Sequence, residues 1–118
     1  GLHYSNTLTF PFQIIPRRVD HMVIVWGSIE TTAAHLDEVL RLSLEHVQRS
    51  RKEPGCISHS VQIDAENPNR LVFFEEWQDQ AALQLHFSVA ASNEFIAQVG
   101  PLAVSAPLIK IFASTLVN

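Results

Sequence analysis

The sequence predicts an α+β domain in the order β-α-β-β-α-β, the ferredoxin-like pattern of a four-stranded antiparallel sheet with two helices on one face. Three observations carry this. Two stretches with helical apolar spacing are each flanked by runs rich in Val, Ile, Phe and Trp. Glycine-proline pairs stop both helices, Pro54-Gly55 after the first and Gly100-Pro101 after the second. Between the helices, Glu66-Asn67-Pro68-Asn69 forms a turn joining two strand-like runs.

The elements follow in order. Residues 1–18 read as an extended N-terminal arm, because Leu8, Phe10, Phe12 and Ile14 alternate with Thr9, Pro11 and Gln13. Pro11 removes a ladder donor and keeps the arm out of a sheet centre. The remaining residues, 19–118, form the domain. Its first strand runs from Val19 to about Ile29 and is apolar on both faces. A long helix covers Thr32 to Lys52, with Leu36, Val39, Leu40, Leu44 and Val47 as its apolar stripe. The second strand, Cys56 to Asp64, places Ile57, His59, Val61 and Ile63 on one face. In the third, Arg70 to Gln78, Phe73, Glu75 and Trp77 share a face opposite Val72, Phe74 and Glu76. Asp79 is the N-cap of the second helix, which breaks near Ser92-Asn93 and resumes to Val99. Pro107 opens a last strand, Leu108 to about Leu116. Two helices cover one sheet face only; a second copy of the sheet is the simplest cover for the other.

Size and charge bound the function. At 118 residues with 47% hydrophobic content, the chain is long enough for one domain with a real core. Its net charge of -4 argues against a nucleic-acid partner, which calls for clustered Lys and Arg. No apolar run reaches membrane-spanning length, and no signal-peptide pattern is visible at the N-terminus. A single cysteine, Cys56, forms no internal disulfide, and a reducing cytoplasmic setting is the expectation.

The candidate chemistry gathers at the corner between the third strand and second helix. Imidazole is the side chain suited to acid/base work near neutral pH, which makes His86 the acid/base candidate, against the alternative of a helix-packing ring bonded to a carbonyl. Glu75 lies between Phe73 and Trp77, where a carboxylate needs a partner, and His86 is the expected one. Trp77 offers a flat wall for an aromatic ligand, with Phe73 beside it. His59 faces either the pocket or a dimer interface, and His46 near the end of the first helix suits a favourable C-terminal cation. Six histidines raise a metal question. With no H-x-x-x-H, no H-x-H and no cysteine cluster, they predict no built-in metal site.

Together, Glu53-Pro54-Gly55-Cys56, Glu75-x-Trp77, Asp79 with Ala82, His86 and Phe95 resemble the antibiotic biosynthesis monooxygenase domain. This is a small member of the dimeric α/β-barrel group, and the resemblance covers residues 19–114. It implies a homodimer with facing sheets and a pocket in each subunit between sheet and helices. It also implies oxygenation of quinols, anthrones and related aromatics without metal or flavin. Haem-degrading relatives use an axial His where Phe95 stands, an Asn where Gly27 falls and a Trp near the His86 position. None is present here, so no haem is expected. Sugar isomerases on the same fold share Glu75 and His86, and that alternative stays open.

The expectation is a cofactor-independent monooxygenase acting on a small aromatic substrate and molecular oxygen, with no cofactor, nucleic-acid or membrane partner. His86 and Glu75 are its catalytic residues; Trp77, Phe73 and His59 bind substrate. The alternatives are a non-catalytic dimeric ligand-binding or stress-response module, and a small-molecule isomerase.

Overall fold

The computed structural model describes residues 21–117 together with Gln13. The rest of the expected arm, residues 1–18, and the start of the first strand lie outside the described residues.

Strand β1, His21–Glu30, occupies the sheet interior, paired on one side with β3 and on the other with β4, and buries Val23, Val25 and Ile29 on one face. Helix α1 spans Leu36–Ser50. Strands β2, Cys56–Asp64, and β3, Asn67–Trp77, form a hairpin. Helices α2, Gln80–Ser88, and α3, Ala90–Val99, follow, then a short 3-10 turn over Gly100–Leu102 and strand β4, Leu108–Thr115. All neighbours are antiparallel, in the order β2-β3-β1-β4. This is the predicted ferredoxin-like arrangement; the single chain leaves its sheet open and forms no closed barrel. Among the described residues, no helix is long and apolar enough to cross a membrane.

Several local expectations shift, each for a physical reason. Helix α1 faces the sheet with Val39, Leu42, Ser43, His46, Val47 and Ser50, while Leu44 is 42% exposed. The buried Ser50 satisfies its hydroxyl by donating to the His46 carbonyl at 2.7 Å. Pro68 begins no turn of its own; β3 already starts at Asn67, and Ala65-Glu66 make the tip, with the Glu66 N–H donating to the Asp64 carboxylate. A bulge between Cys56 and Ser58 turns Ile57 outward, leaving it 43% exposed. The second helical region breaks at Val89, whose extended backbone (φ -69°, ψ 124°) separates α2 from α3. Ser92 and Asn93 instead donate their N–H groups to the Val89 carbonyl in the first turn of α3.

The core sits between sheet and helices in two parts. Ile29, Leu71 and Phe73 pack against Val39, Leu42 and Val47 of α1 and Phe95 and Val99 of α3. Val23, Val25 and Trp77 pack against Ala82 and Leu83 of α2. Gly55 makes the second part possible. It adopts φ +80°, and a Cβ there would lie 2.5 Å from that of Ala82. Asp79, as predicted, caps α2 by accepting the Ala82 N–H at 2.8 Å. The opposite sheet face carries Ile24, Trp26, Val72, Phe74 and Phe112, and among the described residues no helix lies over it. On that face Arg70 and Lys110 lie over the Trp26 ring, 5.6 and 5.2 Å from its centre.

Candidate active site

Strand alternation puts Phe73, Glu75 and Trp77 on the helix-facing side of β3, as the sequence predicts. The register then pairs Glu75 with Val25 on one side and His59 on the other. The His59 Nε2 lies 3.3 Å from Glu75 Oε1, a close electrostatic contact without hydrogen-bond alignment. The Trp77 indole N–H donates to the same oxygen at 2.8 Å. Burial pushes the Glu75 carboxyl up, but His59, the Trp77 N–H and His86 outweigh it and hold the group below its ordinary value.

The partner of His86 is therefore not Glu75. Its Nδ1–H donates to Glu53 Oε1 at 2.8 Å, across 33 residues of sequence. The α1–β2 connection, bent at Gly55, brings Glu53 to α2. The sequence places Glu53 in the Glu53-Pro54-Gly55-Cys56 step but gives it no role in the site. One signal was present: an acid beyond a helix C-terminus works against the helix dipole and points to another partner.

His46 is the second residue whose role the sequence misplaces. It points into the core rather than capping a helix end. Its ring stacks on Phe95, with centres 4.2 Å apart and planes 7° from parallel, and the Arg49 guanidinium donates to its Nδ1 at 3.0 Å. Burial first, then His59, His86 and Arg49, push its pKa down to about 3, so the ring is neutral. Cys56 behaves as a small packed hydrophobe beside Trp77; burial, with Glu75 and Glu53, raises its thiol to about 11.

A cavity of about 320 Å³ opens beside this cluster between α3 and β4. His46, Glu75, His86, Ser92 and Asn93 supply its polar wall; Val25, Phe73, Phe87 and Phe95 are among its apolar lining, and Ile96, Leu108 and Ile109 line it with exposed side chains. Of the predicted residues, Glu75, His86 and Phe73 reach it. Trp77 does not: it is fully buried, two residues further along β3, beneath α2. Its expected place as the wall is taken by Phe73, Phe87 and Phe95. His59 is also outside the lining, behind Glu75 at 1% exposure. The histidines that no spacing motif connected do meet: the rings of His46, His59 and His86 lie 5.2, 5.4 and 5.6 Å apart pairwise.

An aromatic-walled cavity with a carboxylate-held imidazole at its edge suits a flat organic molecule that must lose a proton. Known proteins agree with this architecture. The uncharacterized protein sll1783 of Synechocystis sp. is 36% identical over 93 residues, covering 79% of this chain; the chain spans 63% of that relative's length. A crystal structure from Deinococcus radiodurans superposes with a TM-score of 0.77 at 25% identity, covering 81% of this chain and 96% of its own. Rv0793 from Mycobacterium tuberculosis shares the fold, with a TM-score of 0.76 at 23% identity, covering 81% and 97%. The profile of the antibiotic biosynthesis monooxygenase family matches residues 22–98, from β1 to the end of α3, a span that holds Glu53, Glu75 and all three clustered histidines. The chain belongs to the antibiotic biosynthesis monooxygenase family.

Proposed function

We propose that the protein is a monooxygenase of electron-rich phenols such as quinols, working from its own side chains, with His86 as the base. The observation that carries this reading is the buried His86–Glu53 pair, 2.8 Å apart, at the wall of an apolar cavity. Glu53 fixes the imidazole tautomer: with the proton on Nδ1, the Nε2 lone pair accepts a proton from a substrate hydroxyl. The phenolate that forms is the electron donor to oxygen. One oxygen atom enters the ring and the other leaves as water. The quinol supplies all four electrons and emerges as a hydroxyquinone, so no separate reductant enters. The protein contributes orientation and a site shielded from water.

Glu75 belongs to this reading as a charge behind the site. Phe73 is its substrate-binding wall, and Trp77 and His59 act by holding the Glu75 carboxylate in place. The reading also includes a homodimer closed into a dimeric α/β barrel through the uncovered sheet face.

Oxygen consumption against a panel of quinols and anthrones tests it. The expected outcome is turnover with hydroxyquinone formation. His86→Ala lowers kcat by about 10²–10⁴-fold with a much smaller change in KM, because the proton moves only in the transition state. Turnover by His86→Ala at the wild-type rate removes His86 as the base.

A further inference from the structure

We propose that His46, His59 and His86 form a binding site for one divalent first-row transition ion, opening on the cavity. Each ring offers one nitrogen, and the three nitrogens lie within 4.8 Å of one another. Atoms spaced so lie at most about 2.8 Å from a common centre, against about 2.0–2.1 Å for a zinc–imidazole bond. Inward shifts of under about 1 Å close the site, within reach of small χ adjustments. All three rings are over nine-tenths buried. They come from different elements, α1, β2 and α2, so the fold and not a local motif assembles them.

A second observation points to a ligand rather than to packing. Among the described residues the His59 Nδ1 has no hydrogen-bond partner, although the side chain is fully buried; its Nε2 faces the Glu75 carboxylate at 3.3 Å. The Glu53 Oε2 atom is likewise buried without one. Buried polar atoms left this way cost stability unless something satisfies them. A cation held among the three imidazoles does so for His59 Nδ1, with the Glu53 and Glu75 carboxylates behind the rings. The outer contacts have the arrangement that orients metal-binding histidines: Glu53 holds His86 through Nδ1, leaving Nε2 as donor, and Glu75 lies against His59 Nε2, leaving Nδ1. Arg49 is the counterweight, since it occupies Nδ1 of His46; it also donates to the Ala91 carbonyl, an alternative hold when that ring turns.

An all-imidazole set selects Zn²⁺, Co²⁺, Ni²⁺ or Cu²⁺ over Mg²⁺ or Ca²⁺. His46 and His86 line the cavity, so the remaining coordination position faces it. Binding takes the His86 lone pair. Zn²⁺ therefore inhibits any reaction that uses this ring as a base; that consequence, unlike binding itself, rests on the function proposed above.

The test uses the untagged full chain, stripped with chelator and desalted, then titrated with Co²⁺ and Zn²⁺ by calorimetry and visible absorption, without substrate. The expected result is one ion per chain, with a Co²⁺ absorption band that Zn²⁺ displaces. His59→Leu and His46→Phe each weaken binding at least about 100-fold, and Glu53→Gln about 10–100-fold. His35→Ala, on the exposed start of α1, leaves binding unchanged. Should either histidine variant fail to fold, Glu53→Gln, which keeps its shape, carries the test. No saturable binding by the folded wild type overturns the proposal. So does binding that His59→Leu or Glu53→Gln leaves at the wild-type affinity. Neither result bears on quinol oxidation, which is measured in the presence of chelator.

Discussion

The neutral, buried His46 ties stability to pH in a way that can be worked through. Its pKa is about 3 in the folded chain and about 6.5 when unfolded, so below pH 6.5 the unfolded state binds a proton that the folded state refuses. Stability is therefore full above the unfolded value and falls as the pH drops toward the folded one, at about 1.4 kcal/mol per pH unit. Between pH 7 and pH 5 the loss from this ring alone is about 2 kcal/mol. Glu75 does not confuse this window. Its depressed pKa also favours the folded state, but that contribution disappears only in the carboxylate range, below about pH 4.5. The perturbation is His46→Phe, which keeps a flat ring to stack on Phe95 and has nothing to titrate. Urea denaturation at fixed protein concentration, at pH 7 and pH 5, gives the two slopes. The wild type is expected to lose about 2 kcal/mol more than the variant on acidification. Equal losses in the two proteins would mean that His46 titrates normally and that the buried cluster is not dry.

Three further outcomes test the fold and the assembly. Gly55→Ala forces an L side chain into φ +80° with its Cβ 2.5 Å from that of Ala82; thermal or urea unfolding should show a loss of about 2–3 kcal/mol. Trp77→Phe removes the N–H that holds Glu75 and leaves a void, costing about 3 kcal/mol, and should cost less in a Glu75→Gln background, as a double-mutant cycle would read. Sedimentation at micromolar concentration should give a dimer, and Phe74→Glu on the uncovered sheet face should shift it toward monomer; a wild type that sediments as a monomer contradicts the barrel.

The element order was legible in the sequence because its signals are local. Alternating Val and Ile residues, the Asp79 cap and the Gly-Pro stops act over one to four residues, and each appears in the structure close to where the sequence puts it. The placing of Phe73, Glu75 and Trp77 on one face was legible for the same reason, since strand alternation needs no partner. What the tertiary structure decided was who meets whom. A single extra residue at Ile57 sets the register that brings His59 to Glu75, and no sequence spacing encodes that offset. Trp77 and His86 lie at the same corner, yet Trp77 is buried under α2 while His86 reaches the cavity. The closeness of Gly55 to Ala82 sets how α2 seats on the sheet. The Glu53–His86 pair and the three-histidine cluster join residues from separate elements across tens of positions. Periodicity shows which face a side chain takes along its own helix or strand; only the packing of those faces determines which buried charges and rings share one site.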